Sequence, residues 1–117
     1  MSKINHSSYI RFLNTVNAMD ATRAGKKLDA IEEQLLDKIM LSFSQDTEVL
    51  VGDLLILSQI GSQATLHGRV KNLATKGYIK LAVDSVDNRK KKVVPTKLTL
   101  KHYEKLSKLL ERAALVV

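Results

Sequence analysis

One stretch of the chain changes its apolar period in mid-course, and few folds accommodate such a change. From Ser62 onward, Leu66, Val70 and Leu73 recur at spacings of four and three, which places them on one face of a helix. Gly77 interrupts the pattern, and a left-handed glycine that ends the helix is expected there. Beyond Tyr78 the period drops to two. Ile79, Leu81 and Val83 alternate with Lys80, Ala82 and Asp84, as a half-buried strand requires. Residues 84–92 carry no apolar period apart from Val86; Val93 and Val94 then return, and Pro95, which cannot donate to a ladder, closes an edge strand. A short helix followed by a β-hairpin wing is the predicted unit.

The helix has a clear start. Ser62 is a good N-cap, because its hydroxyl can accept from the amide of Thr65. Away from the apolar side lie Ala64, Thr65, Gly68, Lys71, Asn72 and Thr75, a face that is small and polar. Such a face packs poorly but suits a helix laid in the major groove, where short side chains let the backbone approach base edges. The hairpin tip carries Arg89, Lys90, Lys91 and Lys92 in a row.

Upstream, Asp29 followed by Glu32 reads as a capping box opening a helix through about Ser42. Ile31, Leu35, Ile39 and Phe43 recur every four residues, and Leu28, Leu36 and Met40 widen the stripe. Glu32, Glu33 and Asp37 are read as exposed carboxylates complementing the helix dipole, without a catalytic role. Ser44, Gln45 and Asp46 form a turn, and a second helix is expected from about Thr47 to Gln59 with Val51, Leu54 and Leu55 inward. Ile60 and Gly61 then turn the chain into Ser62. The order is that of a helix-turn-helix with its second helix as reader.

This segment resembles the winged helix-turn-helix of the MarR (multiple-antibiotic-resistance regulator) family of transcription regulators. The likeness rests on Leu73 four residues before Gly77, the apolar strand, Asp87-Asn88-Arg89 in the wing, then Val93, Val94 and Thr96 opening the next helix. Residues 28–105 fit in order and spacing. The resemblance implies that Arg89 enters the minor groove and that Asp87 helps hold it. It also implies that the first and last helices build a dimer interface, and that a small-molecule effector has a place, although no residue here identifies one. The chain departs from the family at Gly68, where a base-reading Arg often stands; Arg69 is next door.

The flanks agree with that picture. Tyr9, Ile10, Leu13, Val16 and Met19 predict a helix over 6–20, and residues 20–27, with Gly25, read as a connection. Past Pro95, Thr96 or Thr99 caps a closing helix over 97–115, in which Leu100, Tyr103, Leu106 and Leu110 make a seam. Ile10, Leu13, Val16, Leu106 and Leu110 are the candidate dimer contacts. Leu115, Val116 and Val117 close the sequence with three apolar residues.

Charge follows the motif. Residues 1–61 hold 6 Lys and Arg against 8 Asp and Glu, a balance of −2, whereas residues 62–117 hold 13 against 4, a balance of +9. The basic half coincides with reader, wing and closing helix, an electrostatic footprint for a polyanion. Without Cys there is no disulfide, thiol switch or Cys-based zinc site, and His6, His67 and His102 show no metal-ligand spacing. No nucleophile elbow or Gly-rich phosphate loop is present, so neither enzyme activity nor a cofactor is expected. The opening residues lack a signal peptide, and no apolar run approaches a membrane span, so a cytoplasmic protein is expected.

The sequence therefore predicts a mainly α fold with a small β-hairpin, one winged-helix domain over 1–117 whose core is 28–96. The expected function is transcriptional regulation, as a homodimeric repressor on a pseudo-palindromic operator in double-stranded DNA. Ser62, Gln63, Ala64, Thr65, His67 and Lys71 are the candidate contacts of the reader, and Asp87, Arg89, Lys90, Lys91 and Lys92 those of the wing. Two other readings stay open: a sequence-tolerant architectural or replication-linked duplex binder, and a winged helix that binds an acidic protein.

Overall fold

The computed structural model describes residues 7–20, 26–83, 85–87 and 89–115. In chain order the elements are α1 (Ser8–Asp20), α2 (Ala30–Ser44), α3 (Val51–Leu55), α4 (Gln63–Thr75), β1 (Ile79–Val83), β2 (Lys91–Pro95) and α5 (Lys97–Ala114). They divide between two compact units, Lys27–Thr99 and a second comprising the α1 segment with the chain from Leu100 onward. The connection at 21–25, His6, Asp84, Asn88, Val116 and Val117 lie outside the described residues.

In the first unit α2 starts at the expected capping box. The Glu32 amide donates to Asp29 Oδ1 at 2.8 Å, and the Asp29 amide donates to Glu32 Oε1 at 2.9 Å. Leu35, Leu36 and Ile39 are buried with Leu28, and the buried side of α4, Leu66, Val70 and Leu73, completes the centre with Tyr78 and Ile79. Each fully buried Leu contributes about 1.5–3 kcal/mol relative to exposure. Two expectations fail on α2. Phe43 is 45% exposed, bordering an open groove of about 280 Å³ with Val49 and Val94 instead of filling the core. Glu32, expected to be solvated, is only 1% exposed.

The second helix is shorter than its sequence suggests. Val49 and Leu50 are extended, because the Val93 amide donates to the Val49 carbonyl at 2.8 Å and Leu50 bridges Lys92 antiparallel. Helix α3 therefore spans five residues, and Asp53 reaches back to the Leu50 amide at 2.9 Å. Leu50 has no side-chain acceptor, so this is half of a capping box. The bridge also corrects the reading of β2 as an edge: it has a partner on both sides, β1 and the Val49–Leu50 segment.

Gly77 ends α4 with φ 87°. Its amide donates to the Ala74 carbonyl at 3.1 Å and the Tyr78 amide to the Leu73 carbonyl at 2.9 Å, the two bonds of a Schellman motif. The chain leaves in the direction of β1, whose residues pair with β2 in the register Ile79↔Pro95, Leu81↔Val93 and Val83↔Lys91. Only the base of this hairpin is covered. Ile79 is buried, Leu81 is 38% and Val83 58% exposed, so the predicted half-buried alternation fails where the ladder runs past the helices. Thr96 fastens the return, donating from Oγ1 to the Gly77 carbonyl at 2.6 Å, while Thr99 Oγ1 donates to the Tyr78 carbonyl at 2.5 Å. Thr96 Oγ1 also accepts the Thr99 amide at 3.4 Å and so caps α5.

In the second unit Arg11 of α1 donates from Nη2 and Nε to the Ala113 carbonyl of α5, at 2.8 and 3.3 Å. A cation thereby satisfies a carbonyl that the end of a helix leaves without a partner. Ala113 is buried, whereas Tyr9, Leu110 and Leu115 are exposed.

Candidate nucleic-acid interface

Helix α4 is built from its cap outward. Ser62 Oγ accepts the Thr65 amide at 3.2 Å and donates to Thr65 Oγ1 at 3.0 Å. Both hydroxyls are thus engaged at the helix start, which fixes where the first turn lies. Gln63, Ala64, His67 and Lys71 are exposed, and Thr65 is half-buried. Opposite them Leu66, Val70 and Leu73 hold the helix on its unit.

Two cations, Arg69 in α4 and Lys76 just past its end, are paired with carboxylates of α2's capping box. Arg69 Nε donates to Asp29 Oδ2 at 2.6 Å, and Lys76 Nζ donates to Glu32 Oε1 at 2.7 Å and to the Lys27 carbonyl at 3.0 Å. Each carboxylate of the α2 capping box therefore serves a second time as an anchor for α4. Burial pushes the Glu32 carboxyl up, but hydrogen bonds from Lys76, the Asp29 amide and Asn72 outweigh it and hold the group below the ordinary carboxylate range. Asp29 behaves alike: desolvation opposes ionisation, and the Glu32 amide and Arg69 outweigh it. The capping box is legible in the sequence; its pairing with side chains 40 and 44 residues away is not.

The wing is ordered by its acid. Asp87 Oδ1 accepts from the Arg89 amide at 3.0 Å and from Arg89 Nε at 3.2 Å. Those two bonds hold the Asp87 carboxyl below its usual range, and the field of Lys90 adds to them. Arg89 itself is 92% exposed at its side chain. Lys90 and Lys91 are exposed beside it, but Lys92 lies in the ladder and pairs with Glu48 at 2.8 Å. Of the row of four cations, Arg89 and Lys90 stand on the tip, Lys91 opens β2 opposite Val83, and Lys92 follows it in the ladder opposite Ala82. Glu48 gave no signal, since nothing in its sequence neighbourhood points to β2.

The candidate dimer contacts fall in the second unit, with Ile10, Leu13, Val16 and Leu106 half-buried and Leu110 exposed. Among the described residues no group of three or more His, Asp or Glu could hold a metal ion, and no described helix is long and apolar enough to cross a membrane. His67 is exposed, and His102 packs edge-on against Tyr103 at 5.7 Å.

No family model and no curated protein sequence matches the chain. Solved structures do. MepR of S. aureus bound to ethidium bromide superposes with a TM-score of 0.65 at 19% identity, over 95% of this chain and 72% of that one. A MarR protein from Peptoclostridium difficile gives 0.56 at 20% identity, over 92% and 65% of the two chains. BpsR of Bordetella bronchiseptica, whose DNA binding is regulated by 6-hydroxynicotinic acid, gives 0.53 at 21%, over 92% and 71%. At these identities the likeness is one of fold: the chain is mostly helical with one antiparallel hairpin, a MarR-like winged helix.

Proposed function

We propose that this protein is a double-stranded DNA-binding transcriptional regulator that inserts α4 into the major groove and its wing into the minor groove. The observation that carries this reading is Arg89. Its side chain is 92% exposed, it is oriented by Asp87, and Lys90 and Lys91 flank it. A guanidinium so placed suits a narrow A·T-rich minor groove, and the lysines suit phosphates. Gln63, Ala64, His67 and Lys71 present the solvent side of a capped helix to base edges and backbone, with Ser62 and Thr65 fixing its first turn.

In this reading the protein acts in the cytoplasm as a homodimer, joined through α1 and α5 by Ile10, Leu13, Val16, Leu106 and Leu110, and represses by occupying a pseudo-palindromic operator. It has no enzymatic step. The ethidium of MepR and the 6-hydroxynicotinic acid of BpsR support a small-molecule effector as part of the same reading. Selection of bound duplexes from a random pool at two salt concentrations, with the solution mass recorded, tests it. Enrichment of an inverted repeat by a dimer is expected. Binding at low salt without enrichment would replace the regulator with a sequence-tolerant duplex binder, and no binding at all would make an acidic protein the partner.

A further inference from the structure

The strongest sequence-reading side chain a helix can offer is an arginine that grips guanine through O6 and N7. Helix α4 contains one arginine, Arg69, and its Nε is 2.6 Å from Asp29 Oδ2. The other oxygen of that carboxylate caps α2, so Asp29 holds Arg69 with one oxygen and the start of α2 with the other. At about 100° per residue, the side of α4 opposite Leu66, Val70 and Leu73 carries Ala64, Thr75 and Gly68. A Cβ built at Gly68 would meet nothing within 4 Å. The fold therefore does not require glycine at 68, although a helix-interior glycine weakens its helix relative to alanine. What an added Cβ would obstruct is the approach of another molecule to the backbone of α4.

Besides His67 and Lys71, α4 offers the groove the side chains of its first turn. Gln63 and Ala64 are both exposed there, where recognition helices meet bases. A glutamine amide pairs with N6 and N7 of adenine, and an alanine methyl packs on the 5-methyl of thymine. Lys71, two turns past the cap, is placed for phosphate.

We propose that α4 reads A·T pairs without any arginine–guanine contact: Gln63 and Ala64 supply the readout, Gly68 lets the helix backbone close on the groove floor, and Arg69 is a positioning residue held by Asp29. This rests on the DNA-binding reading above.

The test is duplex selection with the full chain, wild type beside Arg69→Ala and Asp29→Ala, followed by affinity measurements on the winning duplex. The expected half-site has A·T pairs under α4 and no invariant guanine. Both variants enrich the same sequence at lower affinity. Replacing the contacted thymine by deoxyuridine lowers wild-type affinity about threefold to fivefold, the worth of one buried methyl. Gly68→Ala raises thermal stability yet weakens binding. An invariant G·C pair that Arg69→Ala loses overturns the inference, and so does a Gly68→Ala variant that binds as tightly as wild type. Failure to bind any duplex at low salt is a different result, and it overturns the DNA-binding reading together with the inference.

Discussion

Lys76 Nζ lies 2.7 Å from Glu32 Oε1, and that same oxygen accepts the Asp29 amide at 2.9 Å. One buried carboxylate therefore closes the start of α2 and holds the end of α4. With Arg69 and Asp29 it makes a double tether between the N-terminus of α2 and one side of α4. The tether fastens α4 to the start of α2 at two points, Arg69 and Lys76, within one unit.

Lys76→Met should destabilise the protein by roughly 3 kcal/mol, the lower end of the range for leaving a buried charge without its partner. Glu32 keeps the Asp29 amide in the variant, which argues against a larger loss. Urea denaturation of the two proteins at neutral pH measures the difference. A change below about 0.5 kcal/mol, the size of a surface ion pair, would show that Lys76 is dispensable to the fold.

Acid should unlock the tether. Glu32 and Asp29 have folded values below their unfolded ones, so their contribution is complete above about pH 5 and is lost as the pH falls through the folded values. The urea midpoint of the wild type should be level near neutrality and decline on acidification. Lys76→Met should show a shallower decline, because the cation that lowers Glu32 is gone.

At Gly77 the cost of a side chain is torsional. With φ at 87° and the nearest atom to an added Cβ, Leu98 Cδ2, at 4.0 Å, no clash stands in the way. Gly77→Ala should cost about 1–2 kcal/mol, and Gly77→Asn less, since asparagine tolerates the left-handed region. Melting temperatures that rank alanine above asparagine would contradict the Schellman assignment.

Wing variants should separate into two kinds when binding is followed against salt. Lys91→Ala should weaken all duplexes alike and reduce the slope of log K against log salt by about 0.9, one phosphate contact. Arg89→Ala should weaken binding more, and most on A·T-rich duplexes. Asp87→Asn keeps an acceptor for the Arg89 amide and should retain more affinity than Asp87→Ala. Unchanged affinity in Arg89→Ala at moderate salt would remove the wing from the interface.

Features set by a few neighbouring residues were legible in the chain. The Ser62 cap, the Asp29–Glu32 box, the left-handed Gly77 and the hairpin from Ile79 to Pro95 each depend on contacts within four residues or on a change of period, and all stand where the pattern puts them. Val49 and Leu50 show the limit. Their local sequence suits a helix, but the open amides and carbonyls of β2 offer ladder bonds that a helix start cannot match, and the pairing cuts α3 to five residues. Leu81, Val83 and Phe43 were assigned inward by period, yet period gives a direction and not the reach of the element that would cover it.

Local pattern and composition are enough to set the order of elements, the place where the helical face gives way to a hairpin, and the concentration of positive charge in residues 62–117, because those properties are local or additive. Which charges pair with one another across the molecule was settled by tertiary packing. It assigned Arg69, Lys76 and Lys92 to Asp29, Glu32 and Glu48, and left Arg89, Lys90 and Lys91 outward. Such pairings join residues tens of positions apart, and their formation depends on packing that brings helix ends and strands together before any pair of charges can meet.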